Sequence, residues 1–230
     1  MFDTFNTSIS YRNASEINAA MGRVYNYMFL ATAVSMIVSL FVASSATAMA
    51  IFFGPVTKWI TIFAPLVFCF IVPMAISSGI SKQAALALLM LFAAVIGLSL
   101  SGLIAAYTGM SVFTAFLGAV VLFGVMSFYG YFTKSSLDSM GKYLFIGLIA
   151  IVIASVINIF IGSSMFAMVI SAIAIVIFLG LTAYDTQRIR EDVSVGDSDH
   201  RSEILGALSL YLNLINIFTS LLQLTGSKQE

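Results

Sequence analysis

Two stretches near the end of the chain carry the residues best placed to do chemistry. In GLTAYDTQRIR, Asp185 is the one acidic residue drawn into an otherwise apolar run. Two readings of it compete. Its carboxylate can end in water, paired with Arg188 or Arg190, and hydrophobicity favours this, because a carboxylate at the centre of a membrane span costs roughly 2.5–3.5 kcal/mol. If the helix instead runs on to about Ile189, Asp185 sits about one turn inside the apolar layer, where a carboxylate is by default an ion, proton or substrate site. The second stretch, EILGALSLYLNLINIFTSLLQL, spaces Ser209, Asn213, Asn216, Ser220 and Gln223 by 4, 3, 4 and 3 residues. That spacing lines one face of a helix with polar groups. Asn213 lies about 15 Å along such a helix. It serves either a helix–helix hydrogen bond, worth about 0.6 kcal/mol in membranes, or a water-filled path. The helix–helix reading also suits Asn158, which shares a face with Ser155 and Gly162.

The signatures of the common enzymes are missing. His200 is the only histidine and lies in the charged link REDVSVGDSDHRSE, which leaves no His-activated nucleophile and no His-rich zinc site in the apolar stretches. The link's Glu191, Asp192, Asp197, Asp199 and Glu203 lack the pattern of an EF-hand loop and read as a solvated connection. No glycine-rich phosphate loop follows a strand. The last apolar stretch has no lysine for a Schiff base. The expectation is a protein that is not an enzyme.

The elements that must position these residues are membrane spans. Of 230 residues, 60% are hydrophobic and 9% charged, against about 25% charged in a typical soluble domain. That is too little charge for a water-facing surface. Twenty Phe and nine Tyr exclude disorder. Ten basic and ten acidic residues cancel, so nothing attracts nucleic acid electrostatically. A helical span needs about 20 mostly apolar residues. Stretches at 25–45, 60–80, 84–106, 110–132, 143–163 and 165–185 meet that need, and 203–224 makes a seventh whose polar face turns inward. A helix lying flat on the membrane would carry Lys or Arg on that face, and this one has none. Links as short as Thr108–Gly109 and Gly162–Ser163 force antiparallel neighbours, so the expected fold is an all-α, seven-span bundle. Pro65 and Pro73 should bend the second span.

The expected organisation is a tail over 1–24, a membrane domain over 25–224 and a short tail over 225–230. Residues 15–23 are expected to form a short interfacial helix capped by Ser15, and no signal-peptide pattern precedes the first span. With seven spans, Arg12, Arg23, Lys82, Lys134, Lys142, Arg188, Arg190 and Arg201 share one side, and Lys58 and Lys228 the other. Eight against two places the amino terminus in the cytoplasm and the carboxy terminus outside. The charges alone do not count the seventh span, since six spans would give nine against one.

The two polar stretches are recognisable. GLTAYDTQRI resembles the sixth-span signature of the transmembrane Bax inhibitor motif family, with its Tyr-Asp-Thr-Gln segment. ALSLYLNLINIF, FTKSSLDSMGKYLF and GLSLSGLIAAYTGMSVFTAF are also similar to family sequences. The resemblance covers nearly the whole chain from Arg23 onward. Alone, Tyr184–Gln187 would be weak; four stretches in the right order are specific.

The resemblance implies a bacterial-type seven-helix bundle with the last helix surrounded by the other six, and a pH-sensitive calcium leak. It also implies a sensor made of two aspartates. The first falls on Asp185 and the second on Asn213, where this chain departs from the pattern. Two close carboxylates share a proton and, ionised, offer hard oxygen ligands to Ca²⁺. An Asn keeps a carbonyl oxygen but removes one charge and one titratable site. Nor do residues 60–80 hold a basic residue to latch Asp185, as proposed for the family; Arg188 and Arg190 are nearer.

The function so implied is a cation leak, for Ca²⁺ or protons. Asp185 gates it and Asn213 is its hydrogen-bond partner, with Tyr184, Thr186, Gln187, Arg188, Arg190, Ser209 and Asn216 in support and Asp185 the candidate Ca²⁺ ligand. The alternative that the resemblance also allows is a membrane interaction protein that regulates a membrane protease or a cell-death or stress partner, through the tail Met1–Arg23 or the link 186–202. Compactness and short tails suit a bacterial inner membrane.

Overall fold

The computed structural model describes residues 12–195 and 200–229. Residues 1–11 of the amino-terminal tail, Asp197 and Asp199 of the acidic link, and Glu230 lie outside the described residues. The helices are α1 (Ala14–Ala43), α2 (Ala46–Phe52), α3 (Thr57–Ser77), α4 (Lys82–Ala106), α5 (Gly109–Phe132), α6 (Asp138–Ile161), α7 (Ser164–Ser194) and α8 (His200–Thr225). Among the described residues, all but α2 are long and apolar enough to cross a membrane, which makes seven. Spans six and seven of the sequence are therefore α7 and α8.

Three differences from the expected outline bear on the site. α1 starts well before residue 25, because Asn13 and Glu16 form a reciprocal capping box. Asn13 Oδ1 accepts from the Glu16 amide at 3.0 Å, and the Asn13 amide donates to Glu16 Oε2 at 2.9 Å. Residues 15–23 are thus the first turns of α1, with no separate interfacial helix, and Ser15 donates to Asn13 Oδ1 rather than acting as the cap. α7 runs past residue 185 to Ser194, which leaves Asp185 well inside the helix. The link between the first two spans contains α2, opened by the Ser45 side chain and tied to α3 where Thr57 Oγ1 donates to the Ile51 carbonyl at 2.6 Å. α3 continues as one helix through Pro65 and Pro73.

α8 is the centre of the bundle. In its most apolar stretch 67% of residues are buried, against 33% or less in every other span. It packs on α1, α3, α4, α5 and α7. The family resemblance put all six other spans around it, but α6 sits outside, packed mainly on α7, with none of its apolar stretch buried. An outermost helix needs only lipid on its free side, and α6 is apolar all round.

Close approaches at glycine set the packing. At Gly97 of α4 a side chain would meet the backbone of Ser35 in α1. At Gly130 of α5 it would run into the Ala183 carbonyl of α7, two residues before Asp185. Both helices can touch backbone to backbone only because these positions lack a Cβ. The alternation of spans gathers the eight basic residues named above at one end of the bundle, the basic end, and leaves Lys58 and Lys228 at the far end. There the last residues strap over the α4–α5 turn, the Thr108 amide donating to the Ser227 carbonyl at 3.0 Å and the Gln229 amide to Ala106 at 3.1 Å.

Candidate functional site

α7 and α8 run antiparallel in contact, and their polar residues meet. Asn213 Nδ2 donates to Asp185 Oδ2 at 2.7 Å. Asn213 is buried and Asp185 half-buried. The amide must offer its NH₂ side, because an ionised carboxylate only accepts. Neither arginine closes on Asp185. Arg188 is exposed and reaches toward Asp192 at 3.9 Å, while Arg190 donates to the Tyr131 carbonyl at 3.1 Å and lies over the Tyr131 ring. The expectation that one of them pairs with Asp185 is therefore not met: one is drawn off to a carboxylate one turn on, the other to α5.

The supporting residues divide. Thr186 is fully buried and donates to the Thr182 carbonyl at 2.7 Å. Its hydroxyl proton is thereby used, so Ser127 Oγ, 3.1 Å away, donates to it, and Tyr25 donates in turn to Ser127 at 2.6 Å. This chain ties α1, α5 and α7 together beside Asp185. Gln187 clamps the α5–α6 link, donating to the Ser135 carbonyl and accepting from the Leu137 amide. Tyr184 lays its ring against Gly141 of α6. Of the α8 face, Asn213 and Gln223 point to α7, where Ser171 donates to Gln223 Oε1 at 3.0 Å. Asn216 turns back to donate to the Leu212 carbonyl of its own helix, and Ser209 is half-buried. The face expected to turn inward does so only in part: Asn213 and Ser220 are buried, Ser209 and Asn216 half-buried and Gln223 exposed, and it meets α7 at two separate points. Asn158 makes no helix–helix hydrogen bond through Oδ1, which is buried and unpartnered.

Two features escaped the sequence reading. Glu203, placed there in the solvated link, is 4% exposed in the first turn of α8. It takes Arg23 of α1 in a fork, Nε to Oε2 at 2.8 Å and Nη2 to Oε1 at 2.6 Å. The signal available was the order of residues, since Glu203 opens the seventh apolar stretch and Arg23 closes the polar tail. The second is fully buried Tyr211, whose hydroxyl lies 2.5 Å from Ser35 Oγ, which itself donates to the Ala93 carbonyl at 2.6 Å. A tyrosine in an apolar run carries no sequence mark of such a contact.

Among the described residues, no group of three or more His, Cys, Asp or Glu gathers around one point. An oxygen-seeking cation at this site would meet the Asp185 carboxylate and, after rotation of the amide, the Asn213 carbonyl oxygen.

The family model described as "Inhibitor of apoptosis-promoting Bax1" matches residues 17–230. The chain belongs to the Bax inhibitor family. Its relatives include "Inner membrane protein YbhL" of Escherichia coli, 35% identical over 91% of this chain and 92% of the relative. An uncharacterized protein of Rickettsia prowazekii is 35% identical over 91% of this chain and 90% of its own length. Another, of Deinococcus radiodurans, is 39% identical over 72% of each. The Bax inhibitor match runs through Glu203, Asp185 and Asn213 alike. This family member is a multi-pass integral membrane protein whose central helix meets a buried-edge carboxylate through a neutral amide.

Proposed function

We propose that this Bax inhibitor family protein is a cation leak of the membrane, with Asp185 as the gating residue and Asn213 as its neutral hydrogen-bond partner. The observation that carries this is the 2.7 Å bond from Asn213 Nδ2 to Asp185 Oδ2, which joins α7 to the central helix within their spans. Asp185 is half-buried within the seam, where its charge matters to the packing around it.

The amide partner gives a gate different from an aspartate pair. Asn213 donates through Nδ2 to the ionised carboxylate and, flipped, accepts through Oδ1 from the protonated acid. Either state of Asp185 keeps one hydrogen bond to α8. Protonation therefore changes the charge in the seam without abolishing the contact, and the pH dependence of leak is shallow. Ca²⁺ or another hard cation is drawn to the carboxylate when it is ionised. By analogy with the Escherichia coli relative, whose name places it in the inner membrane, and by the basic bias of one end, the amino terminus faces the cytoplasm of a bacterial cell. No covalent chemistry is assigned to the chain.

Protein in liposomes loaded with a calcium dye tests the proposal. Wild type should leak cations with a rate that changes with pH, and Asp185→Asn should make the rate independent of pH. Equal pH profiles for the two proteins would remove Asp185 as the gate.

A further inference from the structure

A cavity of about 460 Å³ lies between α1, α4 and α5, with the central helix α8 as its back wall. It follows from how α1 and α5 diverge. Toward the basic end they are joined by the 2.6 Å bond between Tyr25 and Ser127. Further along, α1 packs on α4 and α8 while α5 packs on α7 and α8, and a slot opens between them. Along α1 the slot reaches from Ser44 at the far end back to Thr32, about 18 Å of helix. That is close to the depth of one leaflet, half of a hydrocarbon layer about 30 Å thick. The slot ends among exposed Ser44, Gly109 and Gln229 at the far end. Met36, Leu40 and Phe113 along its side are exposed as well, so it is also open to the bilayer.

The interior of the slot suits an aliphatic chain. Its walls are Leu100, Ile104, Val112, Phe116, Ile215 and Phe218, and none of the lining residues is charged. Its hydroxyls have no proton to offer. Thr32, Ser35, Ser39 and Ser44 donate to the carbonyls of Met28, Ala93, Met36 and Phe41 at 2.6–3.0 Å. Water held there would need about two to four polar partners, and a void would forfeit the contacts of the walls. We infer that the slot binds one acyl chain of a lipid from the leaflet at the far end. The chain lies against Ile215 and Phe218 of α8, and the polar head rests at the rim by Ser44 and Gln229. A site of this size, apolar and aromatic inside with few polar groups, has the usual form of a small-ligand pocket. A phospholipid and a free fatty acid share the chemistry it selects, a long chain below a polar head. The slot is separate from the Asp185 seam, which lies on the α7 side of α8, and binding there does not depend on a leak.

Photo-labelling of the full-length protein in liposomes tests the site. The probes are palmitic acid with a diazirine on its last carbon and phosphatidylglycerol built on the same acid. Because Ile215 and Phe218 are buried except toward the slot, label on α8 at these residues is the expected result. Whichever probe gives it identifies the source of the chain. Label confined to the exposed faces of α5 and α6, with α8 unmarked, would overturn the site. Val112→Phe fills the slot from α5 and should remove most of the α8 label. Val121→Phe makes the same kind of change on an exposed face of α5 outside the slot and should leave the label unchanged. Equal α8 label in the two variants would also overturn the site. Should Val112→Phe fold poorly, Ala43→Phe fills the slot from α1 and should give the same loss. A last arm separates lipid from water. Val112→Cys in a Cys69→Ser background should resist a charged, water-soluble maleimide. Rapid reaction there together with unlabelled α8 would make the slot a water-filled vestibule and remove the lipid.

Discussion

The central helix carries two acidic contacts of opposite design. At its start Glu203 is almost wholly buried and answered by a full positive charge in a two-bond fork. About 15 Å further on, Asn213 answers the half-buried Asp185 with one bond from a neutral amide. Burial and partner go together: a fully enclosed charge is tolerated only when paired, while one at the edge of the packing can keep a neutral partner. The first arrangement fixes α8 to α1 through two bonds to one carboxylate. The second leaves a titratable group whose bond survives in both states, which keeps its response to pH shallow.

The largest effect expected from breaking this contrast is at the charged pair. Arg23→Met removes the fork and leaves a carboxylate enclosed without a counter-charge. Breaking a buried pair from one side costs about 3–5 kcal/mol, and because the Arg23 side chain is 42% exposed the loss should fall near about 3 kcal/mol. Thermal unfolding in detergent measures it. Much of the loss should be recovered in Arg23→Met/Glu203→Leu, which has no charge left to strand. If the double variant is as unstable as the single, packing and not charge makes this contact.

A smaller and conditional effect is expected when the neutral contact is made like an acidic one. Asn213→Asp sets two carboxylates at the 2.7 Å contact, where they share a proton and repel once both are ionised. The folded variant then binds more protons than its unfolded chain, so its stability falls as pH rises through that titration. Calcium, bridging both carboxylates, should reverse the loss at high pH. Wild type should show a flatter profile in the same scan. Parallel profiles with and without calcium would mean that Asp185 and position 213 do not act as a pair.

How much of this was legible beforehand depends on what encoded it. Span number and the polar face of α8 were readable, because apolar length and the 4-3-4-3 spacing are properties of the chain itself; that this face is only partly inward, with Gln223 exposed, was not. So was the meeting of Asp185 with Asn213, through the resemblance. The placement of Glu203 was not. Charge composition sorted it with the acidic link, and only the packing of α1 against α8 shows that residues 180 positions apart form a bond. The same limit hid Tyr25–Ser127–Thr186, three hydroxyls from three helices. Helix ends were misjudged where a cap, not hydropathy, decides them, as at Asn13.

The smallest expected effect tests whether charge is what separates the two contacts. Tyr211 also joins α8 to α1, through a hydroxyl that meets Ser35 at 2.5 Å, with no ion involved. Since Ser35 gives its proton to the Ala93 carbonyl, Tyr211 must be the donor in the first bond. Tyr211→Phe removes one donor and keeps the ring, and Ser35 retains its bond to Ala93, so no buried donor is stranded. The cost should be that of an ordinary hydrogen bond between membrane helices, about 0.6 kcal/mol, or several times less than Arg23→Met. Unfolding of the two variants side by side measures the ratio. Comparable losses would show that any polar link between α8 and α1 has the same worth, and that the buried charge at Glu203 adds nothing of its own.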